Sequence, residues 1–498
     1  MVSSLIKNKN YLLAVLSIFL ASIISYWYYP DEDASILFSY SKNLVETGVI
    51  SYFPGGEPTE GATDFLWMLL LSLFYYFGID IYFSALLINF FSLIVIVNYL
   101  KSKFNLSNTV SFLILILHLF LTHTYAAIGG FSILFVEMLL VLMVVNFIQK
   151  KNLSVIFFSF IGCLTRPDFI LFAFPINLIL IIQNFKLRII FAYFIYIILG
   201  VGYFFWRYKY FQELMPLPFY VKNSWDFFNN KEWLRQIIIF TPMILAIFYI
   251  KLKKNINLNL IAMLLVGIIP TLYYMNQTLY QNVGQRFYFY LPTIFLIIFL
   301  QLQYTLQNNK KNFFFQKIII SICLISVALN FLMNHNPFNN FKKKTENFYL
   351  LTKDLYNINR SSNINIATTE AGLINYISKA RTTDLFGLNT RSLAKKPADK
   401  EYIQNNFYDI IFINSSIVGK NCSSLENAFK ISAGLVNTEG NRKDTWSVFS
   451  YKILAGIDEK KYHSFILEYP ASAFVNIQSK SYSLLKDSLI KRGAKICK

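Results

Sequence analysis

The densest group of chemically active side chains lies in residues 30–67, which read PDEDASILFSYSKNLVETGVISYFPGGEPTEGATDFLW and separate two apolar stretches. Asp31, Glu32 and Asp33 are adjacent carboxylates that repel one another, so at least one is expected to have a raised pKa or to bind a cation. A carboxylate of this kind could be a general base that removes a proton from an attacking hydroxyl. The alternative is that the three acids only solvate the start of a helix.

A turn rich in glycine and proline follows these acids, in the sequence FPGGEPTEGATDFLW at residues 53–67. Glycine and proline specify a shaped turn, and acids before an apolar run favour a helix N-terminus. Glu57 and Glu60 could bind a substrate at this turn, or they could belong to an ordinary loop with a charged helix start. We treat both glutamates as candidate substrate-binding residues.

Three cations recur at the ends of apolar stretches: Arg166 in LTRPD, Lys222 in FYVKNS and Arg286 in GQRFYFYLP. At a membrane surface they could neutralise the charge that develops on a phosphate leaving group. Lys222 and Arg286 could instead extend to lipid headgroups. Pro167 interrupts an apolar hairpin next to Arg166, which could also form a purely structural pair with Asp168.

His118, His123 and Glu137 lie in or beside apolar stretches. Each could be a packed polar group or part of a site, and the sequence leaves both interpretations open.

The composition indicates a membrane protein. Hydrophobic residues make up 55% and aromatic residues 18% of the 498 positions, and the mean hydropathy is +0.45, far more apolar than a soluble domain. The formal net charge is +19, but the lysines occur in short runs between apolar segments, where the positive-inside rule expects them. We therefore expect membrane lipids and lipid-linked molecules as partners, and no nucleic acid.

The long apolar runs predict an α-helical polytopic membrane protein with about 11–13 transmembrane helices, since each crossing of the hydrocarbon core needs about 20 apolar residues. The predicted spans are residues 11–29, 64–78, 80–100, 110–124, 130–148, 153–165, 168–184, 189–206, 236–250, 256–274, 287–303 and 313–333. Basic clusters mark the cytoplasmic side at residues 7–10, 101–103, 150–151, 186–188, 251–254 and 310–311. One conflict arises: an odd number of crossings must separate residue 63 from Lys101, yet two apolar segments lie between them. One of the two must be half-length, re-entrant or misassigned.

The predicted domains are a membrane module, residues 1–334, with a first external loop at residues 30–63, and an extracytoplasmic α/β domain, residues 335–498. The runs INIA at residues 364–367 and IIFIN at residues 410–414 are typical of strands and alternate with helix-like stretches. Cys422 and Cys497 fall in this domain, and a disulfide between them is allowed in an oxidising compartment. The cysteine spacing, without C-x-x-C or a nearby histidine, argues against a zinc site.

Several short motifs recur in order from residue 32 to about residue 390. In the first external loop they are Glu32-Asp33-Ala34, Phe38, Tyr40, Lys42-Asn43-Leu44, Gly48, Pro54-Gly55-Gly56-Glu57, Glu60-Gly61 and Phe65-Leu66-Trp67. Later in the chain they are Leu164-Thr165-Arg166-Pro167-Asp168, Glu213-Leu214-Met215-Pro216, Phe219-Tyr220-Val221-Lys222, Arg286-Phe287, Leu291-Pro292, Glu370-Ala371-Gly372, Tyr376 and Asp384-Leu385-Phe386-Gly387-Leu388-Asn389. Together they resemble the signature of bacterial polyprenyl-phosphate-dependent glycosyltransferases of the GT-C type, with the terminal β-arabinofuranosyltransferases of actinobacterial cell walls as the named relatives.

The resemblance implies an inverting integral membrane glycosyltransferase that moves a sugar from a polyprenyl-phosphate donor to a cell-envelope glycan or lipid acceptor, at the outer face of the bacterial inner (plasma) membrane. By carry-over of the acidic pair, Glu32 and Asp33 are the candidate catalytic residues, with Asp33 favoured as the base. Arg166, Lys222 and Arg286 would then hold the departing lipid phosphate.

The chain departs from the resembled pattern in its acids and at two later positions. The family has Asp where this chain has Glu32, and an additional Asp31 precedes the acidic pair, so the choice of the base between the carboxylates is open at this point. The family often has Arg where this chain has Ser39 and an acid where it has Phe131, and these two losses suggest a different donor sugar or a more distant kinship.

The sequence requires no cofactor, although a divalent cation could bridge the carboxylates and a phosphate. Two other functions fit a polytopic chain: a transporter or flippase of lipid-linked sugars, and a non-catalytic membrane scaffold. Transport predicts ionisable groups and broken helices near the middle of the membrane, whereas most ionisable groups here lie at the surfaces. That distribution favours the enzyme.

Overall fold

The computed structural model describes residues 29–221, 233–234, 237–238, 241, 244, 258–277, 282–306, 321, 325, 338–414, 419–434, 446–467 and 471–497. The predicted spans at residues 11–29, 236–250 and 313–333 lie wholly or largely outside the described residues. The basic clusters at residues 7–10, 251–254 and 310–311 also lie outside them.

Helix α1 (Glu32–Thr47) begins at the acidic triplet. Asp31 is its N-cap, and the Asp31 side chain accepts a hydrogen bond from the Asp33 N–H at 3.0 Å. Glu32 and Asp33 occupy the first turn, where the positive end of the helix dipole favours acids. The triplet therefore does cap a helix, as one of the two interpretations held, and its members also contact groups from distant parts of the chain.

Apolar helices follow α1 and form the described part of the membrane module. They are α2 (Phe65–Tyr76), α3 (Ile81–Phe104), α4 (Asn108–Phe120), α5 (Thr122–Ile128), α6 (Ile133–Ile148), α7 (Asn152–Thr165), α8 (Ile170–Gln183), α9 (Leu187–Phe211), α10 (Leu217–Val221), α11 (Leu258–Met275) and α12 (Tyr290–Leu306). Within the described ranges, four stretches are long and apolar enough to cross a membrane by length and composition: Ile81–Phe104, Leu187–Phe211, Leu258–Met275 and Val283–Gln301. The chain is a multi-pass membrane protein, and its total number of crossings stays a prediction.

The short helix α2 accounts for the conflict in the predicted topology. It has 12 residues and is about 18 Å long, well short of a hydrocarbon core of about 30 Å. Helix α3 has 24 residues and is about 36 Å long. With α3 as the single full crossing between residue 63 and Lys101, the number of crossings is odd, as the charge pattern requires.

Charged residues lie at opposite ends of the described helices. Asn89, near the start of α3, donates to the Phe131 carbonyl just before α6 at 2.8 Å, so the two helices start at the same end. Their other ends carry Lys101 in the last turn of α3 and Lys150 in the turn from α6 to α7. Helix α7 returns from that turn to Arg166. The Asp31 N–H donates to the Gly129 carbonyl just before α6, so the acidic triplet and Arg166 lie at one end of the described module, and the lysines at residues 101–103 and 150–151 lie at the other.

The C-terminal part is an α/β structure around a six-stranded sheet. Its elements are α13 (Phe338–Ser362), β1 (Asn365–Thr368), α14 (Leu373–Ser378), β2 (Arg381–Asp384), α15 (Arg391–Lys395), α16 (Lys400–Asn405), β3 (Ile410–Asn414), α17 (Cys422–Gly434), α18 (Trp446–Leu454), β4 (Tyr462–Ile466), β5 (Ala471–Asn476), α19 (Tyr482–Lys491) and β6 (Lys495–Ile496). The strand order is β2-β1-β3-β5-β4-β6. Strands β2, β1 and β3 are mutually parallel, and the other pairs are antiparallel. The predicted runs INIA and IIFIN correspond to β1 and β3.

Helices cover both faces of this sheet, which explains why IIFIN is a continuous apolar run rather than an alternating one. Ile410 and Phe412 of β3 pack with α13, α14 and α19 on one face. Ile411 and Ile413 pack with α16, α17 and α18 on the other. Cys422 and Cys497 form a disulfide with a Cα–Cα distance of 5.3 Å, which joins the start of α17 to the chain after β6.

Candidate active site

The N-terminus of α1 lies against the turn between α5 and α6. The Asp31 N–H donates to the Gly129 carbonyl at 2.9 Å, and the Asp31 side chain is buried. Its Oδ2 accepts no hydrogen bond among the described residues. Burial, together with the neighbouring Asp33 charge, raises the pKa of Asp31 to about 7. The raised pKa expected of at least one acid in the triplet therefore occurs at Asp31, with burial as its largest cause.

Asp33 forms a shielded ion pair with Arg286. The Arg286 Nη2 donates to Asp33 Oδ2 at 3.0 Å, and the two side chains are 9% and 12% exposed. The guanidinium carbon of Arg286 lies 4.0 Å from the centre of the Phe131 ring and 5.3 Å from that of Phe287. Its Nη1 is buried and has no acceptor in the described part of the chain. Arg286 thus has a donor left over for a further anionic group, at a place where a charge-assisted hydrogen bond is strong.

A tight turn before α12 presents Arg286. Residues Val283–Tyr288 form this turn, and Gly284 and Gln285 have φ values of 58° and 55°. Glycine adopts this left-handed conformation readily, whereas Gln285 pays a steric cost that the surrounding packing must offset. The reversal turns the next residue, Arg286, back towards α1.

Arg166 lies beside the same aromatic ring as Arg286. Its Nε and Nη2 donate to the two oxygens of Asp168 at 3.0 and 2.7 Å, and the Tyr274 hydroxyl donates to Asp168 at 2.5 Å. The Arg166 guanidinium carbon lies 5.6 Å from the centre of the Phe287 ring. The structural pair with Asp168 therefore exists, and it holds a second cation close to the Asp33–Arg286 pair.

Glu32 contacts the C-terminal domain. Its Oε1 accepts a hydrogen bond from the Gly372 N–H. A side chain at Gly372 would overlap the Glu32 carbonyl, so only glycine allows this close approach of the two backbones. Burial, followed by the charge of Glu370, raises the pKa of Glu32 well above its ordinary value.

Glu370 belongs to the edge of the sheet that faces α1. The carboxyl ends of parallel strands meet at one edge, where open α/β sheets usually bind ligands. Glu370 follows β1, Asp384 ends β2, and Asn414 ends β3. The Asn414 Nδ2 donates to Glu370 Oε1 at 2.6 Å, and burial raises the pKa of Glu370 to about 8. The sequence gives no signal of a role for this acid, because only the tertiary structure brings it to α1.

Further hydrogen bonds hold the first external loop and this sheet edge together. The Tyr40 hydroxyl donates to Asn389 Oδ1 at 3.0 Å, and the Tyr52 hydroxyl donates to the Ala371 carbonyl. Asn375 donates to the Tyr52 carbonyl. The motifs around Tyr40 and Asn389, singled out separately in the sequence, therefore meet in space.

Glu57 and Glu60 pair with other arginines. Glu60 forms a buried ion pair with Arg207 at the end of α9, and Arg207 also donates to the Leu214 carbonyl at 3.1 Å. Glu57 is 58% exposed and lies 3.3 Å from Arg391. Neither arginine stands out in the sequence, because each meets its glutamate only through the tertiary structure.

Lys222 lies outside the described residues. His118, His123 and Glu137 converge in the module interior, where Glu137 contacts the two histidine Nε2 atoms at 3.2 and 3.1 Å and accepts a hydrogen bond from Thr293. The packed-network interpretation thus has contacts to support it. In the part of the chain that the structure describes, no group of three or more His, Cys, Asp or Glu side chains is arranged to hold a metal ion.

Comparisons with known proteins bear on the fold. A family model described as a domain of unknown function (DUF8728) matches residues 352–462, a segment that includes Glu370 and Asn414. A comparison with the curated proteins finds no match. The crystal structure of ArnT from Cupriavidus metallidurans in the apo state, a GT-C glycosyltransferase, is similar with a TM-score of 0.56 and 8% sequence identity, over 97% of this chain and 99% of ArnT. At this identity the likeness concerns the fold, and the chain has the GT-C fold.

Proposed function

We propose that this chain is an integral membrane glycosyltransferase that moves a sugar from a polyprenyl-phosphate donor to a cell-envelope glycan or lipid acceptor. The proposal depends mainly on one observation, the Asp33–Arg286 contact of 3.0 Å at the start of α1, within a GT-C fold. Transfer from a lipid phosphate needs a base near the attacking hydroxyl and a cation near the departing phosphate. This contact supplies both groups side by side.

In the proposed reaction, the Asp33 carboxylate accepts the proton of the acceptor hydroxyl while the hydroxyl oxygen bonds to the anomeric carbon. The bond between that carbon and the phosphate oxygen breaks, and its electron pair leaves with the polyprenyl phosphate. Attack from the face opposite the leaving group inverts the anomeric configuration. Arg286, through its unpaired Nη1, stabilises the phosphate as its charge grows.

Other predicted residues have supporting roles in this proposal. Arg166 lies near the same ring as Arg286 and adds positive charge on that side. Lys222 is proposed as a further phosphate contact, and Glu57 and Glu60 as substrate-binding residues of the first external loop. We propose that no cofactor is needed because arginines supply the positive charge, and a divalent cation is the alternative.

We further propose that the site faces the outside of the bacterial plasma membrane, together with the C-terminal domain. Two observations support this orientation. Among the described residues, the lysines at residues 101–103 and 150–151 lie at the end of the helices opposite the acidic triplet, where the positive-inside rule places the cytoplasm. The disulfide between Cys422 and Cys497 is of a kind that persists in oxidising compartments.

The test is sugar transfer by the purified full chain from synthetic polyprenyl-phosphate sugars, with the arabinofuranose donor first because of the resemblance to terminal β-arabinofuranosyltransferases, and hexose donors beside it. Asp33→Asn is expected to lower turnover by about 100- to 10,000-fold, the usual contribution of a general base. Glu32→Gln is measured in parallel. Asp80→Asn is the matched control, since Asp80 is an exposed helix cap and asparagine caps equally well.

Full turnover by Asp33→Asn would show that Asp33 is not the base. If the wild type transfers no sugar from any donor, the proposed function is wrong, and a flippase or scaffold role gains support. Repeating the assay with a chelator distinguishes the cofactor-free reaction from the metal-assisted alternative.

A further inference from the structure

Glu370 is a carboxylate of the C-terminal domain that the proposed reaction leaves without a role. The residue is 6% exposed, although carboxylates are almost never buried unless they are paired. The backbone around it is firmly held: the Glu370 N–H donates to Thr368 Oγ1 at 2.8 Å, and that hydroxyl donates to the Glu370 carbonyl at 2.9 Å. With Asn414 bound to its Oε1, the acid is fixed at the sheet edge that faces α1.

Few residues connect Glu370 to the proposed base Asp33. Two residues after Glu370, the Gly372 N–H donates to the Glu32 carboxylate, and a side chain at Gly372 would overlap the Glu32 backbone. Glu32 in turn directly precedes Asp33, the proposed base. A displacement of the sheet edge would therefore move Glu32 and the first turn of α1.

Charges around Glu370 are predominantly negative. Glu32 and Asp33 at the start of α1 and Asp384 at the end of β2 interact with it electrostatically. From β3 the neutral Asn414 contacts it, and from the first external loop Tyr52 contacts the adjacent Ala371. Arg286, the nearby cation on the turn before α12, is paired with Asp33.

Glu32 and Glu370 are both buried, the charge of Glu370 acts on Glu32, and neither acid forms an ion pair with a cation among the described residues. Two such carboxylates cannot both ionise at low cost. The usual solution is that one proton is held by the pair, as the raised pKa values of both groups indicate. Asp33, next to them, has Arg286 as a counter-charge. The local environments therefore differ: Asp33 is ion-paired with Arg286, whereas Glu32 and Glu370 together retain a proton.

We propose, on the basis of the proposed function, that Glu370 is a positioning residue of the active site, which shares one proton with Glu32 and thereby holds the C-terminal domain against the base Asp33. When that proton is present, the sheet edge and the first turn of α1 fit together. When it is lost, two adjacent negative charges repel each other, and the base is misplaced. The domain of unknown function is thereby part of the catalytic site rather than an appendage.

The experiment compares wild type, Glu370→Gln, Glu370→Ala and Glu401→Gln as full chains in one detergent or nanodisc preparation. Glu401 is an exposed glutamate of the same domain and serves as the matched control. Two quantities are measured from pH 6 to pH 9: kcat/KM for sugar transfer and the apparent Tm. The measurement of the apparent Tm does not require the chain to transfer sugar.

The shared proton fixes the direction in which stability and activity change with pH. A carboxyl whose pKa is higher in the folded than in the unfolded chain contributes stability at low pH, and this contribution is lost as the pH rises through the folded value. Wild type and Glu401→Gln should therefore lose Tm and kcat/KM between pH 7 and pH 9. Glu370→Gln, with a permanently neutral side chain, should have a flatter profile in both quantities and a Tm above wild type at pH 9. Glu370→Ala should lower kcat/KM by about 100-fold, the effect of a misplaced reacting group.

Profiles of Glu370→Gln that match wild type in both quantities would overturn the inference. So would an alanine variant that has a lower Tm at every pH but transfers sugar normally, because that is a purely structural role. If the wild type transfers no sugar while Glu370→Gln still flattens the Tm profile, the shared proton stands and the proposed function fails. The two failures are therefore distinguishable.

Discussion

Arg286 and Lys222 are both cations beside apolar stretches, and the sequence offers the same two interpretations for each, a phosphate contact or a headgroup contact. The structure places Arg286 against Asp33 and the Phe131 ring, with 9% of its side chain exposed, so it does not extend to headgroups. Residue type and hydropathy cannot make this distinction, because a buried and an extended arginine have the same local sequence. Phe131, where the resembled family has an acid, here supports the guanidinium through its ring.

We expect Arg286→Lys to lower kcat by about 100-fold, the usual cost of losing one donor to a developing anion. Lysine keeps the charge but cannot stack its head on Phe131 or contact Asp33 and a phosphate through a planar fork. The transfer assay measures this effect. Arg381→Lys, at an exposed position on β2, is the matched control and should have wild-type turnover. A fully active Arg286→Lys would reduce the role of Arg286 to that of a simple charge.

At the scale of secondary-structure elements, the local sequence predicts the positions of most described helices. Helices occur within a few residues of the predicted spans from residue 64 to 206, at residues 256–274 and at residues 287–303, because a long apolar run has few other stable states in a membrane. The predicted span at residues 110–124 is divided at Leu121, where the backbone is extended between α4 and α5. No glycine or proline marks this break, so the composition of the run does not reveal it.

The start of α1 allows a test of the helix cap separately from the charge. Asp31→Asn keeps the cap, because asparagine caps as well as aspartate, and it removes a carboxyl whose pKa is raised to about 7 by burial. That carboxyl stabilises the fold at low pH and loses this contribution as the pH rises through about 7. The apparent Tm of Asp31→Asn should therefore exceed that of wild type at pH 8.5 and approach it at pH 5.5.

Asp31→Ala removes the cap as well and should cost about 0.5–2 kcal/mol at pH 5.5. Asp80→Asn, at the exposed cap of α3, should leave the Tm unchanged at both pH values. Equal behaviour of Asp31→Asn and wild type at pH 8.5 would show that the Asp31 carboxyl is not titrating in this range.

At the scale of the whole molecule, the membrane module and the C-terminal domain meet at the acidic triplet. Lys379 pairs with Glu46 at 2.8 Å at the periphery of this contact, and Tyr40 with Asn389 lies inside it. Which side of the membrane this contact faces is the property on which the proposed function depends. The disulfide between Cys422 and Cys497 makes that side accessible to experiment.

In intact cells of a background carrying Cys163→Ser and Cys323→Ser, a membrane-impermeant maleimide should label the chain only after treatment with an impermeant reductant. The reason is that an external disulfide is both blocked and reachable. Cys422→Ser with Cys497→Ser in the same background is the unlabelled control. Labelling without reductant would contradict the disulfide, and labelling only after cell lysis would place the domain in the cytoplasm.

The amino-acid sequence by itself determined the membrane character, the positions of most described helices and the two strands β1 and β3, because these follow from apolar runs and short-range propensity. It also brought Asp33, Glu32, Arg166 and Arg286 forward as candidates. The tertiary structure alone decided which of them meet: Asp33 and Arg286 are 253 residues apart, and Glu32 and Gly372 are 340 residues apart. Such contacts depend on how distant segments pack, and packing is a property of the whole chain rather than of any local pattern.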